Sequence, residues 1–552
     1  MNRREFLHRF TGDEQDQPIP PASPESIPGK GTLPKLQSVP TLEPYTGPWN
    51  RRTILHLLRR TVLAPSYEEL IAAERMTMKE LVETLIAPSH SLPEPYGYVA
   101  DWMAHGTMYY DSNRLDRSFA FREELRRWWC EQMITGGLNI RERMTFFWHN
   151  HFACDASVNP DQRLIYLQNQ LFRQHAVGNF KDLVRAVTID KAMLWFLNGR
   201  QNKKLEVNEN YARELQELFT LGVVDNNGQP NYTQQDVAQV ALALTGWYFE
   251  EGSVPPPVAC REYWHDKRDK TIYGQHFAGR EDGGEELDQL LDVIFARPET
   301  ARYIVRKLYR FIFHTDVPLT PFFPIAEEIE NAIIIPLAEE FRDSNWSIAA
   351  VLRRLFMSQH FYDAGLMGAY IKSPVDLFVG TARALLTGPL EGERWEHLLQ
   401  AIHMMSTQTG QWLFVPPGVQ GWQFHRTWIS GTTLPLRRAH TDKLIDGWTY
   451  QYYYALQVEL PTGEKTGFAQ IPVLPYARQF PWFEREPVLL VRGIAEHLLP
   501  YPPSPQLQQQ LLDALMQGAP EYEWLEFPDQ LKEARLKGML KFLMRSANYQ
   551  LL

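Results

Sequence analysis

From about Asn50 onward, apolar residues recur at three- and four-residue intervals over most of the chain, the spacing that puts one face of a helix against a core. The stretch Asn208–Trp247 shows it best. It predicts two capped helices: Asn208 is an N-cap and Gly222 a C-terminal stop for the first. Thr233 with Asp236 forms a capping box that opens the second, and Gly246 closes it. Asp225-Asn226-Asn227-Gly228 between them is turn chemistry. Ser66 caps another helix, and Ser373 followed by Pro374 opens one more. Only Tyr450 to Pro475 alternates as strands do, which predicts a single late hairpin. The segment 251–282 reads as an irregular loop. The fold class expected is therefore mostly α: one large multi-helix domain over 49–552, preceded by a Pro-rich, acidic, flexible tail over 1–48.

On a helical wheel Tyr211, Leu215, Leu218 and Leu221 form an apolar arc. Glu214 falls inside that arc and Asn210 beside it, while Glu209, Arg213, Gln216, Glu217 and Thr220 point to water. A carboxylate among leucines has to be paired, bind a metal, stay protonated or edge out to solvent, because burying it bare costs several kcal/mol. Glu214 is thus a catalytic or metal-ligand candidate, with a buried ion pair to an arginine of a neighbouring helix as the plainer alternative.

Composition narrows the classes. A hydrophobic fraction of 44% over 552 residues supports a large core, and a net charge of −10 gives no general attraction to nucleic acid or anionic membranes. No apolar run is long enough for a transmembrane helix. Cys130, Cys154 and Cys260 are widely spaced and form no metal-binding pattern. The opening Arg3-Arg4-x-Phe6-Leu7 matches the core of a twin-arginine export signal, but the residues after it are polar where an apolar segment should be. A cytoplasmic location is expected, with twin-arginine export as the alternative.

His149 and His151 lie two apart, so on a continuous helix they diverge, and they share a ligand only if the helix stops between them. His265 and Asp266 sit in the irregular segment, placed to approach Glu214. Together these residues outline a site for a divalent metal (Zn, Fe or Mn) with His149, His151 and Glu214 as ligands. Glu214, His265 and Asp266 would be its catalytic groups, and Asn210 with Arg213, or Arg306 elsewhere, would hold an anionic substrate. The Glu-x-x-His pair common in helical metal sites is absent.

FFWHNHF (146–152), NENYARELQELFTLGV (208–223), YTQQDVAQVALALTGW (232–247), HDKRDKTIYG (265–274), KSPVDLFVGTARALL, LFVPPGVQGW (413–422) and the closing SANYQLL resemble, in order, the bacterial family catalogued as domain of unknown function 1800. The resemblance carries no catalytic residues. It implies a twin-arginine leader and a sulfatase-like exported partner encoded nearby. Two function classes are therefore open: a helical binding or accessory protein acting with a partner enzyme or polymer, and a metal-dependent hydrolase or oxidoreductase.

Overall fold

The computed structural model describes residues 36–88, 92–95, 114–159, 161–250, 257–313, 325–423, 425–454 and 463–552. The twin-arginine-like start lies outside them. The architecture is mostly α, with three small two-stranded antiparallel sheets. Trp448–Tyr454 pairs with Gly463–Ala469 where the late hairpin is expected. The other two are Trp247–Phe249 with Val258–Cys260 and Lys270–Ile272 with Gln275–Phe277; all of these strands but the first, which directly follows Gly246, fall in the 251–282 segment that reads as irregular. These strands are three residues long, too short to show an alternating pattern.

Local signals placed the helices well. Asn50, Ser66, Thr77, Thr233 and Ser373 each close a capping box. Asn345 and Trp346 adopt left-handed backbone and separate the Ile335–Asp343 and Ile348–Phe356 helices. One apolar core runs from Ile54 to Tyr549 and contains Trp128, Trp129, Trp148, Trp422 and Trp524, so the abundant tryptophan is largely core. Residues 36–48, expected as part of the flexible tail, instead lie along 357–363. Tyr45 N–H donates to the Met357 carbonyl (2.8 Å), Gln359 N–H to that of Glu43 (2.8 Å), and Ser38 N–H to Asp363 (2.8 Å). Backbone bonding to a neighbouring segment overrides a composition that favours disorder.

The first helix of the central pair departs from ideal geometry. It is α-helical over Asn210–Glu214 and then widens to a π-helix over Leu215–Thr220. The wider turn rotates the later positions, so Thr220 is fully buried rather than water-facing, and Gln216 on the opposite side is buried under Tyr273. Gln216 Nε2 donates to the Ala212 carbonyl (2.9 Å) and its Oε1 accepts from Tyr273 (2.9 Å). Gly222 ends the segment at φ +78°. Gly246, at φ +95°, ends the second helix and leads into Trp247–Phe249.

Candidate functional site

The expected metal ligands do not meet. His149 and His151 are both buried near the end of the Arg141–His151 helix and diverge, as a continuous helix requires. His149 packs against Trp129, Phe414 and Trp422, and burial there lowers its pKa to about 3. His151 stacks beside Phe147 and places Nε2 3.1 Å from the Phe219 carbonyl. Burial, with a smaller push from Lys307, holds its pKa well below the usual histidine value. Glu214 is 4% exposed, inside the arc as expected, and its charge is felt by Tyr232 and Tyr303. Among the described residues no three His, Cys, Asp or Glu side chains converge to hold a metal ion.

The two arginines expected to hold an anion are occupied. Arg213 bonds Glu209 (3.1 Å) and Gln234 (2.9 Å), and Asn210 is exposed at the helix start. Arg306 is clamped between Glu299 and Glu330.

His265 and Asp266 lead to a different cluster, built where the second central helix ends. Asp266 is fixed by Arg268 and by its own backbone N–H, which donates to Thr245 Oγ1 (2.8 Å). The carboxylate that serves His265 is therefore not Asp266 but Glu286, on the Gly283–Ala296 helix. Its Oε2 lies 3.1 Å from His265 Nε2, and His265 Nδ1 donates to the Thr245 carbonyl at 2.9 Å. Lys270, almost fully buried, bonds the Asp266 and Arg268 carbonyls (2.7 and 2.8 Å) and pairs with Glu286 Oε1. Arg280 N–H donates to Glu286 Oε2 (2.8 Å).

The half-buried thiol of Cys260 completes the group. The strand pairing sets Cys260 opposite Trp247, and its Sγ lies 3.6 Å from the same Thr245 carbonyl that accepts from His265. Glycines border the sulfur on two sides. A Cβ at Gly246 would lie 2.9 Å from Sγ, and one at Gly283 would collide with it and lie 3.7 Å from His265 Nδ1. Both ring nitrogens of His265 thus face acceptors, an arrangement that favours imidazolium. Burial opposes the charge, but the Cys260 sulfur, the Glu286 carboxylate and the Thr245 carbonyl outweigh it and raise the pKa to about 10. Gly283 also opens a 14-residue helix, capped by Asp282, whose N-terminal end carries partial positive charge beside the sulfur. Cys130 and Cys154 are different: both are fully buried, and burial raises both thiols, Cys130 to about 12.

Sequence reasoning missed Cys260, Glu286 and Lys270. The one local signal was Asp282-Gly283-Gly284-Glu285, a helix start that places Glu286 in the first turn. Among known proteins, the family model described as "Protein of unknown function (DUF1800)" matches residues 56–551. No curated protein matches the chain. No solved structure matches it either.

Proposed function

We propose, for a chain that belongs to the DUF1800 family, thiol-dependent hydrolysis of an acyl bond, with Cys260 as nucleophile, His265 as acid and base, and Glu286 orienting the imidazole. One observation carries the reading: Cys260 Sγ and His265 Nδ1 converge on the Thr245 carbonyl while Glu286 holds the far nitrogen. An imidazolium and a helix N-terminus beside a sulfur are the surroundings in which cysteine nucleophiles work. The thiolate attacks the acyl carbon to form a thioester, and His265 gives its Nδ1 proton to the departing amine or alkoxide. The neutral imidazole then takes a proton from water, the resulting hydroxide cleaves the C–S bond, and the acid, thiolate and imidazolium are restored. Glu286 keeps the ring from rotating throughout, and Lys270 braces Glu286 through its other oxygen.

The test uses p-nitrophenyl acetate as probe on the full chain. Acetylation of Cys260 seen by mass spectrometry, with nitrophenol release lost in Cys260→Ser and His265→Gln, is expected. A Cys260 that stays unacetylated, or release unchanged in Cys260→Ser, would overturn the proposal.

A binding role with a partner or polymer has its own support on the outer face of the same hairpin. There Arg261 stacks on Tyr248 and Trp264 (4.0 and 4.7 Å), Lys203 lies 4.6 Å over Trp264, and Tyr263 and Leu205 are 60% and 93% exposed. Such a face suits a glycan or an aromatic peptide. Glycan-array binding lost in Trp264→Ala, from a protein with an inert Cys260, would favour this reading instead.

A further inference from the structure

The motifs at 372–377 and 546–552 are far apart in sequence and take no part in the cluster above, yet they meet. Lys372 N–H donates to the Gln550 carbonyl (2.9 Å), and the Lys372 ammonium lies 4.0 Å over the Tyr549 ring. Arg437 ties both motifs together: Nε donates to Gln550 Oε1 and Nη2 to the Lys372 carbonyl, each at 2.8 Å. Its remaining nitrogen, Nη1, is buried without a hydrogen-bond partner, and the residue is 0% exposed. Arg59, whose charge acts on Lys372, is held by Nη2 on the Glu496 and His497 carbonyls (2.9 and 2.8 Å).

The Arg59 and Arg437 guanidinium groups bond to neutral oxygens and the Lys372 ammonium faces a ring, and among the described residues no carboxylate pairs with any of the three. Asp376 is the nearby acid, but it is committed to Arg143, to the Tyr370 hydroxyl (2.8 Å) and to Ser373 N–H (3.0 Å). Positive charge therefore accumulates unmatched. Burial, together with Arg59 and Arg437, pushes the Lys372 pKa down to about 7 despite Asp376. An unpaired buried ion costs several kcal/mol, a penalty that a counterion removes.

We propose that Lys372, Arg437 and Arg59 form a binding site for a small free oxyanion of the phosphate or sulfate type. The open Nη1 donor of Arg437, with the charges of Lys372 and Arg59 beside it, suits a tetrahedral oxyanion better than a spherical halide. Exposures of 7% at Lys372, 0% at Arg437 and 6% at Arg59 leave no opening for a larger body carrying the anion. The bound ion would pin the closing segment to the Pro374–Leu385 and Thr433–Asp446 helices.

The test monitors thermal unfolding of the full chain, freed of multivalent anions, as inorganic phosphate is added at ionic strength held constant with sodium chloride. A saturable rise in Tm is expected, with binding about tenfold weaker in Lys372→Met, as loss of one charge-assisted contact implies. Without phosphate, Lys372→Met should unfold no lower than wild type, because it removes an unpaired charge. No rise beyond the chloride control, or an equal rise in Lys372→Met, would overturn the site. Should that variant not fold, equilibrium dialysis of labelled phosphate against wild type decides, and binding well below one ion per chain would overturn it. Glycerol 2-phosphate competing as well as phosphate would overturn the claim that the ion is free and small.

Discussion

The imidazole of His151 hydrogen-bonds across 3.1 Å to the carbonyl of Phe219, joining the Arg141–His151 helix to the π-helical turn of the central pair. A carbonyl can only accept, so Nε2 carries the proton. The widened turn sends the Leu221 and Gly222 N–H groups to the Gln216 carbonyl, so Leu218 O loses the partner a regular helix would give it. Phe219 O lies in the last turn, where carbonyls are open in any helix. Phe219 O takes His151, and Leu218 O takes the Tyr303 hydroxyl (3.0 Å) and the Lys307 ammonium (3.3 Å). Three side chains thus stabilise a local geometry that would be unfavourable alone.

His151→Leu is expected to cost about 1–3 kcal/mol, because it leaves the buried Phe219 carbonyl without a donor. Chemical denaturation measures it. A loss below about 0.5 kcal/mol would show the carbonyl finds another donor.

Acid should destabilise the fold through buried neutral histidines. The folded pKa values of His149 and His497 are lowered to about 3, and those of His360 and His440 to about 4, chiefly by burial. A folded value below the unfolded one of roughly 6.5 leaves the unfolded state binding more protons as pH falls. Stability is then full above about 6.5 and is lost towards the folded values, by up to about 1.4 kcal/mol per pH unit for each group. His149→Phe should flatten the curve between about pH 6.5 and 3 by one proton's worth, seen in unfolding free energy against pH.

His265 runs the other way. Its raised folded pKa of about 10 gives stability that is complete below roughly 6.5 and fades as pH climbs to about 10. Lys307 and Lys372, both lowered to about 7 chiefly by burial, contribute the opposite slope in that alkaline range. The informative quantity is therefore the difference between wild type and His265→Gln, which should shrink steadily from pH 7 to 10. A constant difference would mean the imidazole stays neutral.

Glycine at 283 leaves room for the Cys260 sulfur, so Gly283→Ala should destabilise by about 1–3 kcal/mol through overpacking. Cys260→Ala removes the obstructing atom and should recover a large part of that loss. A double-mutant cycle with coupling below about 0.5 kcal/mol would contradict this contact.

Glu286→Gln removes the carboxylate shared by His265 and Lys270 and strands two buried cations. A loss of about 3–5 kcal/mol is expected at neutral pH. A smaller loss would mean that water enters and solvates the pair.

Glu214 shows where reading the chain succeeds and where it stops. Its burial among leucines was legible because helical periodicity is local. The Tyr232 and Tyr303 side chains that feel its charge were not, because they come from other segments. The π-turn was illegible for a related reason: a wheel assumes constant pitch, and Thr220 turned inward when distant donors made a wider turn favourable.

By itself the sequence determined the helical class, the helix caps and stops at Ser66, Gly222, Thr233, Gly246 and Ser373, and the late hairpin. These depend on backbone groups satisfied within a few residues. Only the tertiary structure placed Cys260 beside His265, gave His265 to Glu286 rather than to Asp266, and gathered Lys372 and Arg437 around Tyr549 and Gln550. Those groupings depend on which strands pair and which helix ends abut, and short-range spacing carries no record of either.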